Sequence, residues 1–344
     1  GPDVAIGPYL RGRLGDAVVD RVVEPLIGGI NAGDIDRLSL AAVVPQLDAA
    51  ARSGDPSLLR SCRALFERAA GPATHTAPKA GAAAPPVFAT PIGGTARIID
   101  GLVQFSPSVE HRLGRAAVAV EPSSPEGGGP YRVVLDDGAV LDADAVVLAV
   151  PAHALGPLLG DVAPTAAATF DAVDHSSIAM ATLAFAGDAL APVAAEVSGC
   201  LVPRDQGLLI TALSFATNKW AHLRDPERGD VLLRVSIGKA GDARHTDMDD
   251  RALLAAVLDD LDRVVGVNDG PTEARVGRWD RAFPQYAPGH LDRIDAADAS
   301  LARTGVRVAG MALRGVGIPA CVRSAEEAAA SLGATWSTRR SLTP

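Results

Sequence analysis

Apolar residues recur four apart at Leu10, Leu14, Val18, Val22 and Leu26, a spacing that predicts an amphipathic helix with one stripe facing a core. Pro25 and the glycines after it predict the end of that run. A second helix is expected near Leu40 to Ala51 and a third from Pro56 to Ala69, with Pro56 suited to a first helical position. Residues 1–70 therefore read as a helical unit. The stretch that follows, "GPATHTAPKAGAAAPP" over residues 71–86, is low in complexity and reads as a linker or loop tip.

From Val87 the pattern changes. A loop with two glycines leads into a helix expected over Thr95 to Val103. Asp137-Gly138 lies between two β-like runs, Tyr131 to Leu135 and Ala139 to Leu141, which is a hairpin signal. "AVVLAV" (Ala145 to Val150) is continuously apolar, as expected of a strand covered on both faces, and a short helix near Ala152 follows. Three β-rich runs between residues 176 and 237, "SSIAMATLAFAG", "GLLITALSFA" and "DVLLRVSIG", predict a mostly antiparallel sheet. "DMDDRALLAAVLDDLDRVV" over residues 247–265 is an amphipathic helix. Asp247, Asp249 and Asp250 read better as first-turn acids complementing the helix dipole than as metal ligands.

Composition narrows the function classes. A chain of 344 residues, 48% hydrophobic, can bury more than one core. A net charge of −9 without any Lys/Arg block argues against a nucleic-acid partner. Cys62, Cys200 and Cys321 lie far apart and form no C-x-x-C, so they read as small buried hydrophobes rather than as a metal site or a disulfide framework. The histidines at 75, 111, 153, 175, 222 and 245 show no ligand spacing, and neither G-x-S-x-G nor H-E-x-x-H occurs. No apolar run approaches the ~18 residues of a membrane span, and no signal peptide is visible in a chain that begins "GPDVAIG".

The most informative segment is "VRVAGMALRGVGIPACVRSAEEAAASL" (Val306 to Leu332), a strand, a glycine loop and a helix. Gly315, Gly317 and Ala320 satisfy G-x-G-x-x-G/A. A dinucleotide fingerprint, however, follows its strand at once and needs a second strand after its helix. Here the strand ends at Gly310, and "TWSTRRSLTP" is not a buried strand. The local physics still suits a ligand. Pro319 fits the first helical position, the glycines let backbone come close to a planar or anionic group, and the helix N–H groups favour negative charge. The segment alone leaves open a glycine-rich turn that only packs a helix on a sheet.

Three further stretches carry a family resemblance. "VEPLIGGINAGDIDRLSLAAVVPQL" (Val23 to Leu47), "RWDRAFPQYAPGHLDRI" (Arg278 to Ile294) and the segment around "GVGIPACVRS" resemble the oxygen-dependent protoporphyrinogen/coproporphyrinogen oxidases. "DADAVVLAVPAHAL" is similar to flavin-containing amine oxidases more widely. The resemblance runs from about Asp3 to about Leu332. It implies an α/β fold, mixed with α+β character: an FAD domain assembled from distant pieces, an antiparallel-sheet substrate domain and a helical subdomain. It divides the chain into a helical, substrate- or membrane-facing unit (1–70), an FAD-domain segment (87–155), a substrate-binding sheet domain (156–275), a second FAD-domain segment (276–335) and a tail (336–344).

By the same resemblance Gly315, Val316, Gly317 and Ile318 lie against the flavin, Trp279 contacts it, and Ala117 marks the backbone that pairs with the adenine. Tyr286 and His290 belong to the resemblance without a catalytic role, and no catalytic residue is singled out. The implied chemistry is FAD-dependent oxidation of a porphyrinogen to the porphyrin in haem biosynthesis, with dioxygen as acceptor. The implied setting is the cytoplasm, with a peripheral membrane contact and a homodimer left open. Runs such as "SIAMATLAF" and "LLITALSF" either line the substrate slot or form plain sheet core.

The family opens with a Rossmann βαβ carrying G-x-G-x-x-G. This sequence shows no such unit, so the resemblance implies an incomplete FAD domain without its pyrophosphate cradle. Two alternatives stay open: another flavin amine oxidase or desaturase, and a truncated, non-catalytic tetrapyrrole-binding relative. Coproporphyrinogen and protoporphyrinogen are not separated by the sequence.

Overall fold

The computed structural model describes residues 2–69, 88–123, 131–190, 197–225, 227, 229–267 and 269–340, with 334–340 as backbone. The stretch read as a linker, 71–86, lies outside the described residues.

Three cores organise the chain. The first is helical and gathers Ile6, Leu10, Val19, Ile35, Leu38 and Leu40. The single long helix expected here is two. Ile6–Leu14 ends at Gly15, whose φ of 81° breaks the helical path. A continuous helical run follows as Asp16–Val18, Val19–Gly28 and Gly29–Asn31, its middle part in π geometry. Pro25 sits inside that run rather than ending it. The break at Gly15 re-phases the stripe, so that Val19, Val23 and Ile27, also four apart, meet the core instead. Leu10 is accordingly buried while Val18, Val22 and Leu26 are exposed. The second expected helix is also divided, into Leu40–Val43 and Pro45–Ala51. The third, Leu58–Ala69, starts just beyond Pro56.

The second core holds a two-stranded parallel sheet, β4 (Val146–Leu148) beside β10 (Val306–Val308). Helices Ala152–Leu159, Pro164–Asp171 and His290–Leu301 pack on it through Leu155, Leu159, Phe170 and Ile294, all fully buried. A meander joins this core: β1 (Ala117–Pro122), β2 (Tyr131–Leu135) and β3 (Val140–Ala143), with the expected turn at Asp137-Gly138. Tyr131 ties the meander to β10 by accepting the Gly305 N–H at 2.7 Å. The expectation that "AVVLAV" is covered on both faces does not hold. Val147 is 44% exposed, because in this two-stranded sheet only the other face meets the helices.

The third core is a five-stranded antiparallel sheet in the order β6 (Gly199–Leu201), β7 (Ile210–Phe215), β8 (Val231–Ile237), β5 (His175–Phe185) and β9 (Glu273–Pro284). The three β-rich runs supply β5, β7 and β8. Alternate residues of β5, namely Ala179, Ala181, Leu183 and Phe185, are fully buried, as the two-residue period of a strand requires. Helix Asp250–Val265 covers them with Leu253, Val257 and Leu261. Its N-cap is Asp249, whose side chain accepts the Ala252 N–H at 2.8 Å, and Asp250 is the acid that stands in its first turn.

Arg204 joins the first core to the third. Its guanidinium bonds Glu24 at 3.1 Å, the Gly33 carbonyl at 3.0 Å and the Ala240 carbonyl at 3.0 Å. Among the described residues no helix is long and apolar enough to cross a membrane.

Candidate active site

The second and third cores meet around a cavity of about 570 Å³, within the ~300–1,000 Å³ range of small-molecule sites. One wall is the loop after β4, Ala149 to Ala152. A second is the loop after β10, Ala309 to Ala312. A third is the first turns of helix Ile318–Arg340, with Gly317, Ile318 and Cys321. Ile98, Ile99 and Leu102 of helix Ala96–Phe105 close another side. Ala282 and Pro284 of β9 and His175 at the start of β5 complete it. Both parallel strands therefore deliver their C-terminal ends to the cavity, where α/β sheets place their ligands.

The glycine loop owes its path to residues outside the cavity. Tyr286 is buried, and its hydroxyl donates a short hydrogen bond to the Met311 carbonyl while accepting the Gly315 N–H at 3.2 Å. Burial pushes the phenol up to about 12, so it keeps the proton it donates. The His290 ring stacks on Tyr286 at 4.1 Å and bonds the Leu313 carbonyl through Nε2 at 2.7 Å. Since a carbonyl only accepts, that Nε2 carries the hydrogen. Burial lowers the His290 imidazole to about 4 and keeps it neutral. The Ser324 hydroxyl accepts the Gly310 N–H at 2.8 Å. Tyr286 and His290 thus act as a clamp on the loop.

Gly310, Gly315 and Gly317 have φ values of 113°, 134° and 96°, a region that L side chains rarely adopt. A Cβ at Gly310 or Gly317 would meet nothing within 4 Å. These two glycines are therefore required by backbone path and leave open space beside the helix N-terminus. An apolar slot flanked by glycine backbone and free N–H groups fits the ring of a flavin.

The structure brings Gly317 and Ile318 into the cavity wall, with Gly315 and half-buried Val316 just before them in the same loop. Ala117 lies elsewhere, exposed at the start of β1 opposite Leu135. Trp279 lies on β9 opposite Ile178 and outside the cavity lining, 47% exposed, with its ring over Gly277. The runs "SIAMATLAF" and "LLITALSF" form sheet core, and neither supplies a lining residue. The three cysteines are half-buried rather than fully buried, and Cys321 is a lining residue.

His175 is the residue that sequence reasoning missed. Its spacing from the other histidines along the chain does not mark it. The fold brings its ring to 5.1 Å from that of His153, edge to face, because two intervening helices double back between β4 and β5. His175 Nε2 and His153 Nδ1 are both buried with no partner among the described residues.

Residues 9–332 match the family described as flavin containing amine oxidoreductase. The coproporphyrinogen III oxidase of Mycobacterium tuberculosis (strain H37Rv) is 35% identical over 336 residues, covering 96% of this chain and 67% of the relative. That of Bacillus subtilis (strain 168) is 32% identical, covering 93% and 65%. A crystal structure from Exiguobacterium sp. 255-15, of a protein provisionally described as a protoporphyrinogen oxidase, superposes with a TM-score of 0.78 at 30% identity, covering 95% of this chain and 66% of that one. The chain spans about two thirds of the length of these relatives.

Proposed function

The chain belongs to the flavin-containing amine oxidoreductase family, and from that premise we propose that it serves an FAD-dependent oxidation of a porphyrinogen to the porphyrin, with dioxygen as final acceptor, in haem biosynthesis. The observation that carries the reading is the cavity itself. It is apolar on nearly every side and bounded by glycine backbone at Gly310 and Gly317. The similarity to coproporphyrinogen III oxidases supports the choice of substrate class.

In this reading Gly315, Val316, Gly317 and Ile318 hold the flavin ring, and the helix N-terminus that Ile318 opens favours negative charge on it. When bound, the flavin would supply the acceptor for the hydride equivalents of the substrate. The chain's own share is positional. Ile98, Ile99 and Leu102 exclude water from one side, and the clamped loop 310–315 fixes the other. Ala117 and Trp279, outside the cavity, would reach only parts of the cofactor that extend beyond it.

The test is oxidation by the FAD-supplemented chain of anaerobically prepared coproporphyrinogen III and protoporphyrinogen IX, read as porphyrin fluorescence after air is admitted. Porphyrin formation above the non-enzymatic rate, with peroxide released, supports the reading. Oxidation of a primary amine with no porphyrin formed would replace it.

A further inference from the structure

One face of the five-stranded sheet lies under helix Asp250–Val265, through Leu183, Leu213 and Leu233. The residues between these point to the other face. Register places Ser214, Arg234 and Thr182 in one row across β7, β8 and β5. The next row towards the cavity holds Ala212 and Met180, and Ile178 follows. A sheet face turned to water carries mostly polar side chains. Here Ile178, Met180, Ala212 and Leu232 are half-buried, and Leu201, opposite Ala212, is 41% exposed.

Arg234 stands among them on the middle strand, exposed. Its Nε and Nη2 donate to the Met180 Sδ at 3.1 and 2.7 Å, and a thioether is a weak acceptor. Among the described residues no carboxylate pairs with it. Arg275 and Arg278 of β9, by contrast, pair with Glu273 and Asp250, each at 2.8 Å. An apolar face around a cation without an acid fits a ligand with an apolar body and an anionic arm.

We propose that this face seats the porphyrinogen and that the Arg234 guanidinium holds the carboxylate of one of its propionate arms. The proposal rests on the porphyrinogen reading above and leaves the cavity to the flavin ring. Face and cavity are continuous, since β5 starts at His175 and β9 ends at Pro284, both in the cavity wall. Ile178 and Thr182 are separated by roughly 13 Å of strand at ~3.3 Å per residue. A tetrapyrrole on the apolar row therefore has one edge towards the flavin site and an arm at Arg234. Its pyrroles and methyl groups match the apolar side chains. The planar fork of the guanidinium takes both carboxylate oxygens, with the hydroxyls of Thr182 and Ser214 in the same row. A neutral ligand of the same shape would cover the charge and leave it unpaired, which is unfavourable.

The experiment is anaerobic equilibrium dialysis of the full chain, with FAD held reduced, against coproporphyrinogen III and its tetramethyl ester at low ionic strength. Bound ligand is oxidised afterwards and counted by porphyrin fluorescence. Open surface pairs are worth little, but the macrocycle covers this one, so Arg234→Met should weaken binding of the acid about tenfold. Wild type should bind the ester at least about tenfold more weakly than the acid, and the variant should bind the ester as wild type does. The comparison of acid with ester in wild type needs no variant. Wild-type affinity for the ester equal to or above that for the acid, unchanged affinity of the variant for the acid, or equal weakening of both ligands overturns the Arg234 assignment and leaves the porphyrinogen reading standing. Wild-type protein that binds neither ligand overturns that reading, and this inference with it.

Discussion

The hydroxyl of Tyr286 stands 3.2 Å from the backbone nitrogen of Gly315, twenty-nine residues on, and accepts its hydrogen while donating its own to Met311. One phenol thus fixes both ends of the turn that leads from β10 to the long C-terminal helix. Removing it by Tyr286→Phe leaves a half-buried carbonyl and a half-buried N–H without this partner. The expected cost is about 2 kcal/mol of stability, seen as a lower urea midpoint, together with weaker flavin binding. Unchanged flavin affinity at reduced stability would separate the clamp from the cofactor site.

Arg204 is expected to hold the helical lobe on the sheet. In Arg204→Ala, Glu24 loses its charged partner while remaining buried, and the Gly33 and Ala240 carbonyls lose theirs. A third of the Arg204 side chain is exposed, so the cost should be about 3 kcal/mol, the low end of the ~3–5 kcal/mol for breaking a buried pair. Equilibrium unfolding of the variant measures it. Limited proteolysis should then cut first within residues 2–69.

Stability should fall on acidification before most carboxylates titrate. The His290 imidazole is held at about 4 in the folded protein against 6.5 for a free ring. The unfolded chain therefore takes the proton first. The contribution is complete above about pH 6.5 and is lost as the pH falls towards about 4, roughly 3 kcal/mol over that window. His175 and His245, also lowered by burial, act in the same direction. Denaturation midpoints at pH 7.5 and 4.5, for wild type and His290→Gln, check the sign. The variant should show the smaller drop.

Much of this fold is legible in the sequence where local rules and tertiary packing agree. The turn at Asp137-Gly138 pairs β2 with β3 as its turn chemistry requires, and alternation along β5 predicts which residues meet helix Asp250–Val265. The same rules fail at Gly15, where a break in the helix re-phases the four-residue repeat and turns Val18, Val22 and Leu26 outward. They fail for Val147 too, because a continuously apolar run does not say how many strands stand beside it. Of the site, the glycine loop was legible through backbone demands that only glycine meets. His175 was not, since its nearness to His153 is made by two helices folding back and leaves no spacing in the chain.

The most direct test of the account is a titration of this chain with FAD, followed by quenching of flavin fluorescence, for wild type and for Gly317→Val. At Gly317, as at Gly310, a positive φ and open space coincide at the cavity wall. Saturable binding by the wild type, weakened at least about tenfold by the valine through backbone strain and lost space, is the predicted result. Wild-type protein that binds no FAD, or that binds it equally well with valine at this position, would contradict the claim that this cavity is a flavin site.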